Sequence, residues 1–167
     1  MNNIPNGKTG LYSQEFEHNS CGIGCVVNIN GKKSHSIIND GLTLLRNMAH
    51  RGGSEDENDS GDGAGILIQL PHEFFEKVCR NENINLPVSG GYGVGMVFTS
   101  PDSVTRLRSI EILKSIIQSE GQEFLGVRKV AVNSSNIGVN ASMNMPFIIQ
   151  VFVGRKTTCE NDFERTL

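Results

Sequence analysis

The sequence predicts a layered domain of mixed strands and helices, either α/β or α+β. Short apolar runs of strand length, closed by Gly, Pro or Asn-Gly signals, recur at 22–29, 64–70, 92–98, 124–132 and 146–153. Between them lie stretches with apolar residues at helical spacing, at 36–50, 72–81 and 100–120. The composition is that of a globular chain: of 167 residues, 37% are apolar and 20% charged, enough for one domain with a core. Periodicity alone does not choose between the two arrangements.

The elements follow in order. Gly22–Ile29 is apolar and glycine-spaced, and Asn30-Gly31 ends it as a turn. In Ser36–His50, Ile38, Leu42, Leu45 and Ala49 fall on one helical face, with Ile37, Leu44 and Met48 beside them; Arg51-Gly52-Gly53 closes the helix. An acidic, glycine-rich loop precedes the run Ala64–Leu70, which Pro71 stops. His72–Asn81 is a short helix burying Phe74, Phe75, Val78 and Cys79. Tyr92–Phe98 is a strand. Ser100-Pro101-Asp102 sets a cap, a proline at N1 and an acid in the first turn of a helix that Gly121 ends, with Val104, Leu107, Ile110, Leu113 and Ile117 as its core face. Phe124–Val132 and Pro146–Val153 are the last strands, joined by a polar loop, and the tail from Gly154 is polar.

A net charge of −3 with no basic run argues against a nucleic-acid or acidic-membrane surface, and no apolar stretch reaches membrane-spanning length. The leader Met1–Ser20 has no apolar core, carries Glu15 and Glu17 and lacks arginine, which speaks against a secretory signal or a transit peptide; a cytoplasmic location is expected. The cysteines at 21, 25, 79 and 159 are then reduced thiols, and no Cys-x-x-Cys pair suggests a metal knuckle or a redox site.

Cys21, in Asn-Ser-Cys-Gly-Ile-Gly, opens an apolar run behind a polar leader. Cleavage before it would make it the N-terminus, where a free α-amino group of pKa about 8 serves the thiol as base. A cysteine beginning a strand is also a small buried hydrophobe, and its own surroundings leave both roles open. Cys25 is expected in the core, Cys79 on a helix's apolar face, and Cys159 exposed. His50 and Arg51 end a helix: they are either cationic caps or a guanidinium beside a site that handles a carboxylate or amide. His18, His35 and His72 are read as surface or capping residues.

Two other patterns fail on spacing or context. Asp56, Asn58, Ser60 and Gly61 fit early calcium-loop positions, but the twelfth position is Leu67 rather than glutamate. The glycines of Gly90-Gly91-Tyr92-Gly93-Val94-Gly95 enter a strand instead of opening a helix, so close backbone approach explains them better than a phosphate cradle.

Taken together, three motifs point to a family. Cys21-Gly22-Ile23-Gly24, then His50-Arg51-Gly52-Gly53, then the stretch from Gly61-Asp62-Gly63-Ala64-Gly65 to Pro71-His72-Glu73-Phe74-Phe75 closely resemble the N-terminal glutamine amidotransferase domain of the glutamate synthase large subunit. The blocks Tyr92–Phe98, Phe124–Val130 and Met145–Val153 are similar to that family as well, so the resemblance covers residues 16–155. Val127 and Ala131 stand where the family usually has Trp and Pro.

The resemblance implies an α+β fold of four layers, αββα, the N-terminal-nucleophile hydrolase architecture, present here in incomplete form. It implies a leader at 1–20 and the first portion of the amidotransferase domain at 21–167. It assigns catalysis to Cys21, hydrolysing L-glutamine to glutamate and ammonia, and a substrate-binding or site-ordering role to Arg51, with no metal. No cofactor is expected in this segment; FMN, an iron–sulfur cluster and an electron donor would belong with the remainder of the large subunit, where the ammonia converts 2-oxoglutarate to glutamate. The family's oxyanion Asn-Gly pair has no counterpart, since Asn30-Gly31 lies too early and no Asn-Gly follows it. The chain is therefore expected to be truncated on its C-terminal side, with apolar faces left uncovered. Two alternatives stay open: another amidotransferase with an N-terminal cysteine, forming phosphoribosylamine or asparagine, and a catalytically inactive binding fragment.

Overall fold

The computed structural model describes residues 22–49 and 63–156, in two compact units that divide after Leu67.

In the first unit, residues 22–29 run into a turn in which the Gly31 amide donates to the Asn28 carbonyl at 2.9 Å and the Asn30 amide to Asn28 Oδ1 at 2.9 Å. Gly31 sits at φ 67°, a conformation that explains the glycine. Helix α1, His35–Asn47, follows. Its N-cap is Ser34, whose hydroxyl accepts from the Ser36 amide at 3.1 Å. Neither 22–29 nor 64–70 enters a sheet ladder among the described residues, so the strands expected there are absent from them. A strand exists only when its amides and carbonyls find a partner, and periodicity reports burial preference, not pairing. Ile23, Ile29 and Leu67 accordingly stand almost fully exposed. Cys25, expected in the core, is also exposed.

The second unit is a three-stranded antiparallel sheet with a helix packed on each face. Helix α2, His72–Arg80, precedes strand β1, Tyr92–Thr99; helix α3, Ser103–Ser119, leads to β2, Glu123–Lys129; a short helix α4, Val139–Met143, precedes β3, Phe147–Gly154. The spatial order is β1-β3-β2, so the last strand lies in the centre. Both outer strands pair with it, Tyr92 opposite Gly154 and Thr99 opposite Phe147 on one side, Glu123 opposite Gly154 and Lys129 opposite Ile149 on the other.

The alternation of β3 splits the core in two. Phe152, fully buried, packs with Phe75, Cys79, Ile84 and Tyr92 under α2. Its ring meets Phe75 edge-on at 5.4 Å between centroids. Ile149, Val151 and Val153 face the other way, onto Ile117 of α3 with Ile110 and Leu113 beside it. Val104 and Leu107, read as part of that core face, are exposed, because the helix settles on the sheet through its later turns. Phe74 is half exposed where burial was expected. His72, read as a surface or capping residue, is partly buried against Tyr92.

Two sequence details change on folding. The N-cap of α3 is Asp102, whose carboxylate accepts from the Thr105 amide at 2.7 Å, while Ser100 takes the Asp102 amide at 3.2 Å. In β2 the register shifts between Phe124 and Gly126, a bulge at Leu125. A Cβ on Gly126 would lie 2.9 Å from Ile84 Cγ1, so the bulge brings backbone onto the core where only glycine fits. Gly93 and Gly95 lie within β1, opposite Val153 and Val151, as expected of glycines that enter a strand. No helix among the described residues is long and apolar enough to cross a membrane.

Candidate active site

Cys21, His50, Arg51 and Asp62 lie outside the described residues, as does most of the acidic loop Ser54–Gly63. The structure therefore describes the chain that follows Cys21 and the chain that precedes His50-Arg51. Gly22 follows Cys21 directly, and Met48 caps α1 three positions before Arg51.

These two ends meet. A Cβ on Gly22 would stand 2.7 Å from Met48 Sδ, and one on Gly24 2.5 Å from Leu44 Cδ1. Real side chains do not approach so closely, so a side chain at either position would require Met48 or Leu44 to shift. In extended backbone, residues two apart share a side, and on a helix residues four apart share a face. Gly22 and Gly24 thus form one side of the segment, Leu44 and Met48 one face of α1, and the two fit together. Ile23, between the glycines, is left facing outward. The glycine pattern after Cys21 is visible in the sequence; its helical partners are not. Their signal is a Leu/Met pair at i, i+4 on the helix that runs into His50-Arg51-Gly52.

Other reactive groups are accounted for by structure. Cys79 is completely buried, and burial pushes its thiol pKa up, Arg128 pulling it partly back. Such a thiol is a poor nucleophile. Tyr92 is likewise pushed up, first by burial and then by Cys79 and Glu76. Its hydroxyl therefore stays protonated and bonds His72 Nδ1 at 3.0 Å. Arg128 bridges the sheet, donating to Gln150 Oε1 at 2.7 Å, with Glu82 at 3.6 Å. Among the described residues no three His, Cys, Asp or Glu side chains gather in a way that could hold a metal ion.

Residues 21–167 match the family described as glutamine amidotransferases class-II. The chain is 44% identical over 168 residues to the glutamate synthase [NADPH] large chain of Bacillus subtilis, an alignment that takes in 99% of this chain and 11% of that one. It is 35% identical to ferredoxin-dependent glutamate synthase 2 of Synechocystis, over 87% of this chain and 9% of that one. It is 38% identical to glutamate synthase [NADH] of Saccharomyces cerevisiae, over 89% and 7%. The chain thus spans about a tenth of the length of these relatives. The mixed α/β fold of the second unit accords with the α+β architecture expected of the family.

Proposed function

The chain belongs to the class-II glutamine amidotransferase family, and from that premise we propose that it is the glutaminase segment of a glutamate synthase, with Cys21 as nucleophile. The observation that carries this reading is the family match itself, which starts at residue 21 and runs to residue 167. It favours a leader at 1–20 whose removal frees the Cys21 α-amino group, with the amidotransferase segment following.

In the proposed reaction the α-amino group takes the thiol proton, and the thiolate attacks the side-chain amide carbon of L-glutamine. The C–N bond breaks, and the proton goes to the departing nitrogen as ammonia. A glutamyl thioester remains, and water cleaves it to glutamate and the free thiol. Arg51 contacts the substrate or orders the site; its guanidinium suits a carboxylate partner.

The ammonia is then used on 2-oxoglutarate in the remainder of the large subunit, with electrons from a donor. Relatives carrying NADPH, ferredoxin and NADH in their names are all similar to this chain, so the donor is not distinguished by this segment. FMN and the iron–sulfur cluster would belong with that remainder, as the likeness to glutamate synthases suggests. A cytoplasmic location is part of the same reading, suggested by the polar, acid-containing leader.

The test is intact mass and N-terminal sequencing of the purified chain before and after exposure to a diazoketone analogue of L-glutamine. A start at Cys21 with one label there is the expected result. An intact Met1 with Cys21 unlabelled would overturn the nucleophile assignment and leave a catalytically inactive binding segment.

A further inference from the structure

We propose that Asn30 is a site of spontaneous deamidation and that the turn Asn28–Gly31 is the lock on that reaction. The proposal stands on the turn alone and is independent of the amidotransferase reading.

Asn30-Gly31 is the one Asn-Gly dipeptide among the described residues, and Asn30 is exposed, so water reaches it. The chemistry needs two neighbouring groups: Cγ of the Asn30 side chain and the backbone nitrogen that follows, which belongs to Gly31. Other residues crowd that nitrogen with a Cβ, and Gly31 has none. The Gly31 nitrogen gives up its proton and attacks Asn30 Cγ. The new N–Cγ bond forms, the bond from Cγ to the side-chain nitrogen breaks, and that nitrogen leaves with the proton as ammonia. A cyclic succinimide remains. Water opens it at either carbonyl, giving aspartate or isoaspartate.

The structure holds the attacking nitrogen in check. The Gly31 N–H donates to the Asn28 carbonyl at 2.9 Å, so the proton that must be lost is tied. A second bond, from the Asn30 amide to Asn28 Oδ1 at 2.9 Å, braces the same turn from inside. The nitrogen reacts only when Gly31 leaves the Asn28 carbonyl, so the rate follows the open fraction of the turn. Isoaspartate adds a methylene to the main chain, which breaks the spacing that the Asn28–Gly31 bond needs. The turn thus guards the residue whose conversion would abolish it. Asn28 supplies an internal control: the nitrogen after it belongs to Ile29, whose branched Cβ crowds the attack.

The test incubates the full chain beside a peptide of residues 28–33 in mildly alkaline buffer. Site-resolved peptide mapping reads conversion at each asparagine, the acid differing from the amide in mass by the exchange of NH2 for OH. Two hydrogen bonds of ordinary strength are expected to slow Asn30 about tenfold or more in the chain relative to the peptide. Asn28→Ala removes the side-chain bond and keeps the carbonyl, and is expected to convert at Asn30 about two- to tenfold faster than the parent. The comparison of chain with peptide needs no variant, so it holds even if Asn28→Ala does not fold. A chain that converts at the peptide's rate, or a folded Asn28→Ala chain no faster than the parent, overturns the lock. A peptide in which Asn30 converts no faster than Asn28 overturns the site itself.

Discussion

His72 Nδ1 lies 3.0 Å from the Tyr92 hydroxyl, joining the first residue of α2 to the first residue of β1. The rings also meet, 5.7 Å apart at 46°. The bond closes one end of the core that holds Phe152, since Tyr92 touches that ring as well, at 6.4 Å. Tyr92→Phe keeps the ring and removes the bond. It is expected to lower stability by about 0.5–1.5 kcal/mol, read from the urea midpoint. In a double-mutant cycle with His72→Ala, a coupling energy of zero would show that the two side chains do not act together.

At Gly126 an added side chain meets the core closely. Alanine there would set a methyl group 2.9 Å from Ile84 Cγ1 and 3.1 Å from Cδ1, both parts of a buried residue. Gly126→Ala is expected to cost about 1–3 kcal/mol. Gly95→Ala, where an added Cβ meets nothing within 4 Å, is the matched control. Equal thermal unfolding of the two variants would contradict the close approach.

Asp102 makes the second unit sensitive to acid. Hydrogen bonds from the Thr105 backbone amide and hydroxyl hold its carboxyl below the ordinary carboxylate range. A folded-state value below the unfolded one stabilises above the unfolded pKa, and that stabilisation is lost as pH falls through the folded one. Asp102→Asn keeps a capping acceptor but cannot titrate. Between roughly pH 5 and pH 2 the parent's urea midpoint is expected to fall further than the variant's. Parallel curves would mean that the cap gains nothing from the charge.

Arg51 admits a separation of its two proposed roles. If it grips substrate, Arg51→Ala slows labelling of Cys21 by the diazoketone analogue about 10- to 100-fold, the worth of a charged hydrogen bond, and leaves iodoacetamide labelling unchanged. Equal losses with both reagents would assign it to ordering the site.

Amphipathic elements were legible in the sequence and pairing was not. Periodicity located α2, α3, β1 and β3 to within a residue or two, because each has an apolar stripe that meets a partner. It passed over α4, five residues of a polar loop with no stripe. It misplaced the α3 cap because Ser100 and Asp102 flank a proline and both are good caps; only Asp102 stands three residues before an amide it can reach. Cys25 was expected in the core for being apolar in an apolar run, yet in that run the glycines take the side toward α1. Of the candidate site, the motifs named Cys21 and Arg51, and both fall outside the described residues. The contacts of Gly22 with Met48 and of Gly24 with Leu44 could not be seen, because glycine records the closeness of a neighbour without naming it.

The central place of β3 has a consequence for synthesis. Among the described residues, β1 and β2 share no ladder; each pairs with β3, the strand that ends at Gly154. As the chain leaves the ribosome, two apolar strands must wait, edges open, until residues 147–154 have followed them out. Sheet closure is then late and rests on contacts far apart in sequence, the slow kind. Until that moment the edges of β1 and β2 are open to pairing with other strands.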